Sequence, residues 1–249
     1  MKAERLLRFG KALPRLRRCV DKHLNQRKLS RETVLAAVVR LLDTQYLRIG
    51  NEQYAKENKS FGATTLLCRH VTHRGQKMKM RFTGKHGIVR ELTITDHRLG
   101  RVVRRCQELP GQSLFQYENG DGQPQQISSA DVNDYIRDAT GGEFTAKHFR
   151  TWGASVIAFE QLLQADEKLK ISVNTMIEPV AEALGNTVAI SRKSYVHPAL
   201  VEAAKQSTRD PLPGIERPAA RKYLSSAEVG LLEFLKTQSR PKRKLVKAA

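Results

Sequence analysis

The sequence is short of cysteine, of acidic residues and of long apolar runs, and each shortage closes off a class of protein. Its three cysteines, Cys19, Cys68 and Cys106, are odd in number and share no motif spacing. They read as reduced thiols, not as a disulfide framework. Cys68, His70 and His73 lie close together, but a zinc site needs four well-placed ligands and no second pair is present, so no metal is expected. No run of roughly 18 apolar residues occurs, so no membrane span is expected. The start, MKAERLLRFGKALPRLRR, lacks the apolar block of a secretory signal. It is basic and amphipathic, a transit-peptide trait, but it reads better as a structural helix. There is no GxxxxGK(S/T) loop, no HExxH helix and no GxSxG elbow. ATP-driven, zinc-dependent and serine-hydrolase chemistries therefore have no visible machinery, and no cofactor is expected.

What is abundant is positive charge. Lys and Arg number 44 against 25 Asp and Glu, a net of +19. A polyanionic partner is the default reading of such a balance. The cations run along the whole chain, which suits a folded surface wrapped on a duplex better than a targeting tail; a generally basic protein is the bland alternative. With 249 residues and a 40% hydrophobic fraction, the chain can build a substantial core.

The periodicity is mainly helical. RETVLAAVVRLL, from Arg31 to Leu42, has apolar residues at helical spacing behind a Ser30 cap. TQYLRIGNEQYAKENKSFGATT predicts a turn and a short helix. LLCRHVT, KMKMRF and IVRELTI predict three short strands in two successive hairpins, with breaks at HRGQ and at Gly84-Lys85-His86-Gly87. Lys85 then stands at the tip of the second hairpin. Helix resumes after Asp96 and stops at Pro110-Gly111. Asn119 to Gly122 is a turn. Ser128 or Ser129 caps the next helix, which Gly141 ends. A longer helix opens at Thr145, and another ends at Leu184-Gly185 with Pro179 expected in or before its first turn. A helix begins near Pro198, and Ser225 and Glu228 form a capping box for the last one. The expected fold is α+β, mainly α, with a small three-stranded antiparallel sheet.

Several Arg, Lys and Tyr residues sit in non-periodic settings. Phosphoryl transfer needs a nucleophile, cations around the equatorial oxygens and an acid for the leaving group. Tyr195, in SRKSYVHP, can be the nucleophile, with Arg192 and Lys193 beside it to ease a phenolate whose free pKa is about 10. Arg48 and Arg150 can each contact a phosphate in bidentate fashion. Lys85 can reach a leaving oxygen. By spacing alone, each of these residues equally fits a packing or solvated role.

The sequence resembles a known family in longer stretches. LRIGNEQYAKENKSFGATTL, TAKHFRTW and LGNTVAISRKSYVHP together resemble the type IB DNA topoisomerases, above all their bacterial, poxvirus-like branch. ALPRLRR and LPGQSLFQY are similar to that branch too, and the likeness runs in order from about Phe9 to about Leu235. The resemblance implies the helical catalytic domain shared with tyrosine recombinases, acting on double-stranded DNA. It implies the following roles. Tyr195 is the nucleophile that forms a 3′-phosphotyrosyl ester. Arg48 and Arg150 are the catalytic arginines. Lys85 is the hairpin lysine that protonates the leaving 5′-hydroxyl. Asn186, nine residues before the tyrosine, stands where many relatives carry histidine; it can hydrogen-bond a non-bridging oxygen but cannot titrate. Lys147, Arg192 and Lys193 are expected to hold DNA.

Members of the family usually carry a smaller β-rich domain, the other jaw of a clamp, before the region that begins here near Arg5, and the expectation is that this sequence lacks it. Residues 1–236 are read as the catalytic domain and 237–249 as a basic mobile tail. A monomer in the bacterial cytoplasm, at the nucleoid, with no small-molecule substrate, is expected. Two rival readings fit the motifs less well. A tyrosine recombinase usually has His-x-x-Arg and a Leu-Gly-His box, where this chain has Lys147-His148-Phe149-Arg150 and Leu184-Gly185-Asn186-Thr187. A non-catalytic DNA-binding protein would have no reason to hold all five active-site positions.

Overall fold

Long amphipathic segments dominate the chain, and the fold is built by wrapping them around one nearly all-apolar helix. The computed structural model describes residues 2–164, 171–206, 212 and 218–238. Helix α1 (Lys2–Leu24) buries Leu6, Phe9, Leu13, Leu16, Val20 and Leu24, a stripe at the three-to-four spacing of one helix face. Helix α2 (Arg31–Gln45) is buried on almost every side from Thr33 to Leu42. Its Ser30 hydroxyl accepts the Thr33 N–H at 3.3 Å. Helix α3 (Glu52–Asn58) is short and is capped by the Asn51 carbonyl oxygen.

Strands β1 (Val71–Arg74), β2 (Lys77–Thr83) and β3 (Val89–Ile94) form an antiparallel sheet in that order. Met78, Met80 and Phe82 face the core, and Lys79 and Arg81 alternate outward. Helix α4 (His97–Glu108) follows its Asp96 cap. A separate two-stranded hairpin of β4 (Gln116–Glu118) and β5 (Pro124–Gln126) precedes α5 (Ser129–Thr140), whose Ser128 and Asp131 make a reciprocal capping box. The remaining helices are α6 (Lys147–Gln164), α7 (Val173–Leu184), α8 (Val188–Ser194), α9 (Pro198–Gln206) and α10 (Ser226–Gln238).

The mainly helical architecture and the three-stranded sheet match the expectation, with five local corrections. The first strand begins at Val71, not in LLCRH. Cys68–His70 is a single 3-10 turn, because the Leu67 N–H bonds the His70 ring and the His70 N–H bonds the Leu67 carbonyl. The β4–β5 hairpin was not anticipated; its strands have only three residues each. Pro179 lies in the middle of α7. The helix runs through it at the loss of one backbone hydrogen bond. Tyr195, which the sequence leaves in a non-periodic setting, stands at the C-cap of a helix, α8. The expected tail starts too early, since Thr237 and Gln238 belong to α10; residues 239–249 lie outside the described residues.

A buried ionic clasp ties the first helix to the last. Arg17 bonds Asp43 at 2.7 Å and Glu228 at 2.7 Å. Glu228 also accepts from the Trp152 indole at 2.8 Å and from the Ser225 N–H at 2.8 Å. Burial opposes the charge on Arg17, but its bonds to Asp43 and Glu228 outweigh it and raise its pKa above the usual range. The clasp braces α6, the helix that carries Arg150, from behind.

Candidate active site

The LRIGN and FGATT segments lock together by their backbones, and this sets Arg48. The Ala63 N–H bonds the Arg48 carbonyl and the Thr64 N–H bonds the Ile49 carbonyl, both at 2.8 Å. Gly62 is pressed so close that a Cβ there would lie 2.5 Å from the Gly50 nitrogen and 2.7 Å from the Arg48 carbonyl oxygen. Gly50 itself has φ +101°, backbone that side chains rarely adopt.

Asn186 is held just as tightly. Gly185 ends α7 in the left-handed conformation, and the Asn186 N–H bonds back to the Ala181 carbonyl at 2.9 Å. Thr187 then caps α8, its hydroxyl accepting the Ile190 N–H at 3.2 Å. Asn186 is thus a single residue between the end of one helix and the cap of the next. Tyr195 closes α8 with its N–H on the Ser191 carbonyl at 3.1 Å. Two residues on, the His197 N–H is fixed to the Ser155 hydroxyl of α6 at 3.1 Å.

These elements converge. Arg48 donates from Nη1 to the Tyr195 hydroxyl at 3.1 Å and from Nη2 to Asn186 Oδ1 at 2.8 Å. Arg150 is buried, and its guanidinium carbon lies 4.8 Å from the centre of the Tyr195 ring. Arg150 Nη2 bonds the Leu184 carbonyl at 3.1 Å, and Nη1 bonds the Tyr46 carbonyl. Two buried donors, Arg150 Nε and Asn186 Nδ2, have no protein partner. Both arginine forks are therefore engaged with protein groups, where the sequence suggested bidentate phosphate contacts. Each engaged Nη of Arg48 and Arg150 is a terminal NH₂ that uses one hydrogen in these bonds and retains a second for an incoming acceptor.

The electrostatics single out one tyrosine. Burial alone would push the Tyr195 phenol up, but the charge of Arg150 and then that of Arg48 outweigh burial and lower its pKa. Tyr46, whose backbone carbonyl accepts from Arg150, goes the other way: burial and then the carboxylates of Asp43 and Glu228 push it to about 12. Tyr135 is also raised, by burial first. Arg192 and Lys193 have no part in the shift at Tyr195, contrary to expectation. Both are exposed on α8 while the Tyr195 ring is buried.

Lys85 lies in the turn between β2 and β3, and its side chain is exposed. It lines an open cleft of about 660 Å³ together with Arg48, Arg150, Lys147 and Tyr195. Among the described residues Lys85 makes no side-chain hydrogen bond or ion pair. The structure thus gathers Arg48, Lys85, Arg150, Asn186 and Tyr195 at one site and adds Lys147 at its rim. Arg192 and Lys193 do not line the cleft. Cys68, His70 and His73 are each engaged separately, with the Ser113 carbonyl, the Leu67 N–H and the Gln107 side chain. Sequence reasoning missed Arg90, whose side chain lines a smaller recess with Arg48, Lys85 and Arg150; in IVRELTI it shares a face with Leu92 and Ile94, and an arginine on that inward face is the signal that could have found it.

A phenol under two cations, beside a clamped amide and facing a basic cleft, suits attack on an anionic ester. The sequence profile of the family described as "Eukaryotic DNA topoisomerase I, catalytic core" matches residues 1–211. The chain belongs to that family. A DNA topoisomerase 1B of Acanthamoeba polyphaga mimivirus is 30% identical over 207 residues, covering 78% of this chain and 62% of that protein. A DNA topoisomerase 1 of Mycosarcoma maydis is 29% identical over 194 residues, covering 70% of this chain and 18% of that protein. The DNA topoisomerase 1B of vaccinia virus (strain Copenhagen) is 24% identical over 184 residues, covering 68% of this chain and 53% of that protein. The matched region thus spans about three fifths of the mimivirus relative and about half of the vaccinia one. A solved XerH site-specific recombinase bound to its difH substrate aligns with 80% of this chain and 53% of its own, at 16% identity and a TM-score of 0.44, too loose a likeness to argue from.

Proposed function

We propose that this chain is the catalytic domain of a type IB DNA topoisomerase that relaxes supercoiled duplex DNA. The observation that carries this reading is the Tyr195 hydroxyl, 3.1 Å from Arg48 and with Arg150 against its ring, in a chain of the topoisomerase I catalytic-core family. DNA lies in the basic cleft, held mainly through phosphates with weak sequence readout. The Tyr195 oxygen attacks the scissile phosphorus in line, and its proton passes to solvent in the open cleft. The bond from phosphorus to the 5′-oxygen breaks, and Lys85 donates a proton to that oxygen. Arg48, Arg150 and Asn186 stabilise charge on the equatorial oxygens. The 3′-phosphotyrosyl ester conserves the bond energy, torque rotates the duplex, and the reverse step reseals it. The chemistry as drawn asks for neither ATP nor a metal ion, since the side chains supply cations and proton.

All five positions come from one chain, which supports action as a monomer. Bacterial origin and a nucleoid location are supported by the motif boxes alone. No helix among the described residues is long and apolar enough to cross a membrane. The decisive experiment is plasmid relaxation in EDTA without ATP, run with Tyr195→Phe. The parent chain should relax supercoils and leave a covalent adduct on a trapped nick. The Phe variant should do neither while binding DNA almost normally; an adduct from it would overturn the reading.

A further inference from the structure

Arg90 leaves the sheet to reach a helix end. It sits on β3 opposite Phe82 of β2, five residues beyond Lys85. The turn between them is closed by the Gly84 N–H on the Ile88 carbonyl at 2.8 Å, so a shift of β3 is carried into the Lys85 turn. The Arg90 guanidinium donates to the Ala183 carbonyl at 2.9 Å and to the Glu182 carbonyl at 3.3 Å. These are terminal carbonyls of α7, where the helix presents partial negative charge; that of Glu182 also accepts the Gly185 N–H at 3.1 Å. Arg150 takes the next carbonyl, that of Leu184, at 3.1 Å. Two arginines from different elements therefore fasten three consecutive carbonyls, separated from Asn186 only by Gly185.

Gly185 is part of the same joint. A Cβ there would lie 2.7 Å from Arg90 Nη1 and 3.3 Å from its Cδ, so the glycine gives the guanidinium its room as well as the left-handed cap. Among the described residues, the two Arg90 bonds are the only hydrogen bonds or ion pairs between the β2–β3 hairpin and the α7–α8 segment. One side of the joint carries Lys85. The other carries Asn186 and Tyr195. Burial and then the charge of Arg48 lower the Arg90 pKa, the cost of a cation placed there for its geometry.

We infer that Arg90 is a positioning residue that holds the Lys85 turn in register with Tyr195, so that the proton donor meets the leaving oxygen. This rests on the reading of Lys85 as that donor. It makes a claim beyond structural support: losing Arg90 should harm the step that needs Lys85 and spare the rest.

The test is single-turnover cleavage of a duplex carrying either oxygen or sulfur at the bridging 5′ position, with the parent chain, Lys85→Ala, Arg90→Ala, Arg90→Lys and the double Ala variant. A thiolate departs without protonation, so the sulfur substrate dispenses with the acid. On oxygen, Arg90→Ala should slow cleavage on the order of 100-fold, the cost of misplacing a reacting group by about 1 Å. On sulfur it should recover the parent rate. The double variant should be no slower than Lys85→Ala, because both act on one step. Arg90→Lys, which reaches one carbonyl but cannot fork, should fall between and serves if the Ala variant does not fold. If Lys85→Ala is rescued by sulfur but neither Arg90 variant is, or if both Arg90 variants cleave the oxygen substrate at the parent rate, the positioning role is wrong and the acid assignment stands. If Lys85→Ala is not rescued, the acid assignment fails and the role of Arg90 falls with it.

Discussion

Arg48 Nη1 lies 3.1 Å from the Tyr195 hydroxyl, across 147 positions of sequence. That contact, with Arg150 against the ring, turns a buried phenol that should titrate high into one that titrates low. The difference in tyrosinate absorbance between the parent chain and Tyr195→Phe should therefore titrate below the ordinary value of about 10. Arg48→Ala should move that titration upward. Linkage has the same sign. The folded value is below the unfolded one, so the phenolate contributes stability that is present above about pH 10 and is lost as pH falls through the folded value. A titration left in place by Arg48→Ala would deny Arg48 its part in preparing the nucleophile.

Gly62 tests whether the backbone sets Arg48. A methyl group at Gly62 must enter space bounded by the Gly50 nitrogen and the Arg48 carbonyl, neither of which is a side chain that can swing aside. Gly62→Ala should cost about 1–3 kcal/mol in denaturant unfolding and slow cleavage more than it weakens DNA binding. Gly120→Ala, with no atom within 4 Å of the new Cβ, is the control and should change neither. If Gly62→Ala cleaves DNA like the parent chain, the LRIGN–FGATT lock does not position Arg48.

Much of this architecture was legible because it is locally encoded. Ser30, Asp96 and Ser128 announce helix starts, Gly141 and Gly185 announce ends, and the alternation in KMKMRF marks a strand with one wet face. Lys85 could be placed at a hairpin tip from Gly84 and Gly87 alone. The site residues themselves, apart from that lysine, have no local signature; the ordered motif boxes carried them. What could not be read depends on tertiary contact. Pro179 stays inside α7 because packing, not propensity, maintains that helix. The engagement of the Arg48 and Arg150 forks needs partners 138 and 34 positions away. Arg90 falls on the inward face of β3 with Leu92 and Ile94, but what it reaches could not be read, since its partners are backbone carbonyls 92 and 93 positions further on. Arg192 and Lys193 misled for the opposite reason: proximity in sequence to Tyr195 put them on a solvent face.

Glu228 lies beyond the 211 residues matched by the family profile, yet it braces the active-site helix through Trp152. Burial would raise its pKa, but the bonds and charge of Arg17 outweigh burial and lower it. Its ionised form thus contributes stability that is complete above the unfolded value of about 4.5 and lost as pH falls through the folded value. Glu228→Gln should cost about 1.5–3 kcal/mol at neutral pH, because it leaves the half-buried Arg17 with one carboxylate instead of two. In acid the two proteins should converge, as the parent chain gives up the same charge. Urea unfolding at neutral pH and across the acid range measures both. A gap that stays constant into acid would mean the ionised carboxylate contributes nothing.

The exposed cations around the cleft differ from those in it, and salt should separate the two sets. Lys147 lines the cleft rim and is exposed, and Arg192 and Lys193 are exposed on the helix that ends at Tyr195. None of the three is in an ion pair among the described residues, so each is available to a phosphate. Every phosphate contact contributes about −0.9 to the slope of log affinity against log salt, through release of condensed counterions. In the Tyr195→Phe background, where chemistry is silent, replacing all three by Ala should flatten that slope by about 2.7 for a duplex of any sequence. Affinity should drop most at low salt, where counterion release matters most. Lys147→Ala alone should remove one contact's worth, because its place on the cleft rim is independent of α8. Arg150→Ala should behave differently. That side chain is buried and already bonded to two carbonyls, so its loss should depress cleavage with little change in the salt slope. Fluorescence anisotropy of a labelled duplex across a salt series supplies the slopes. Parallel lines for the triple variant and its parent would show that these three cations do not touch the backbone, and the DNA path would then have to leave the cleft on the side of Lys85 and the hairpin.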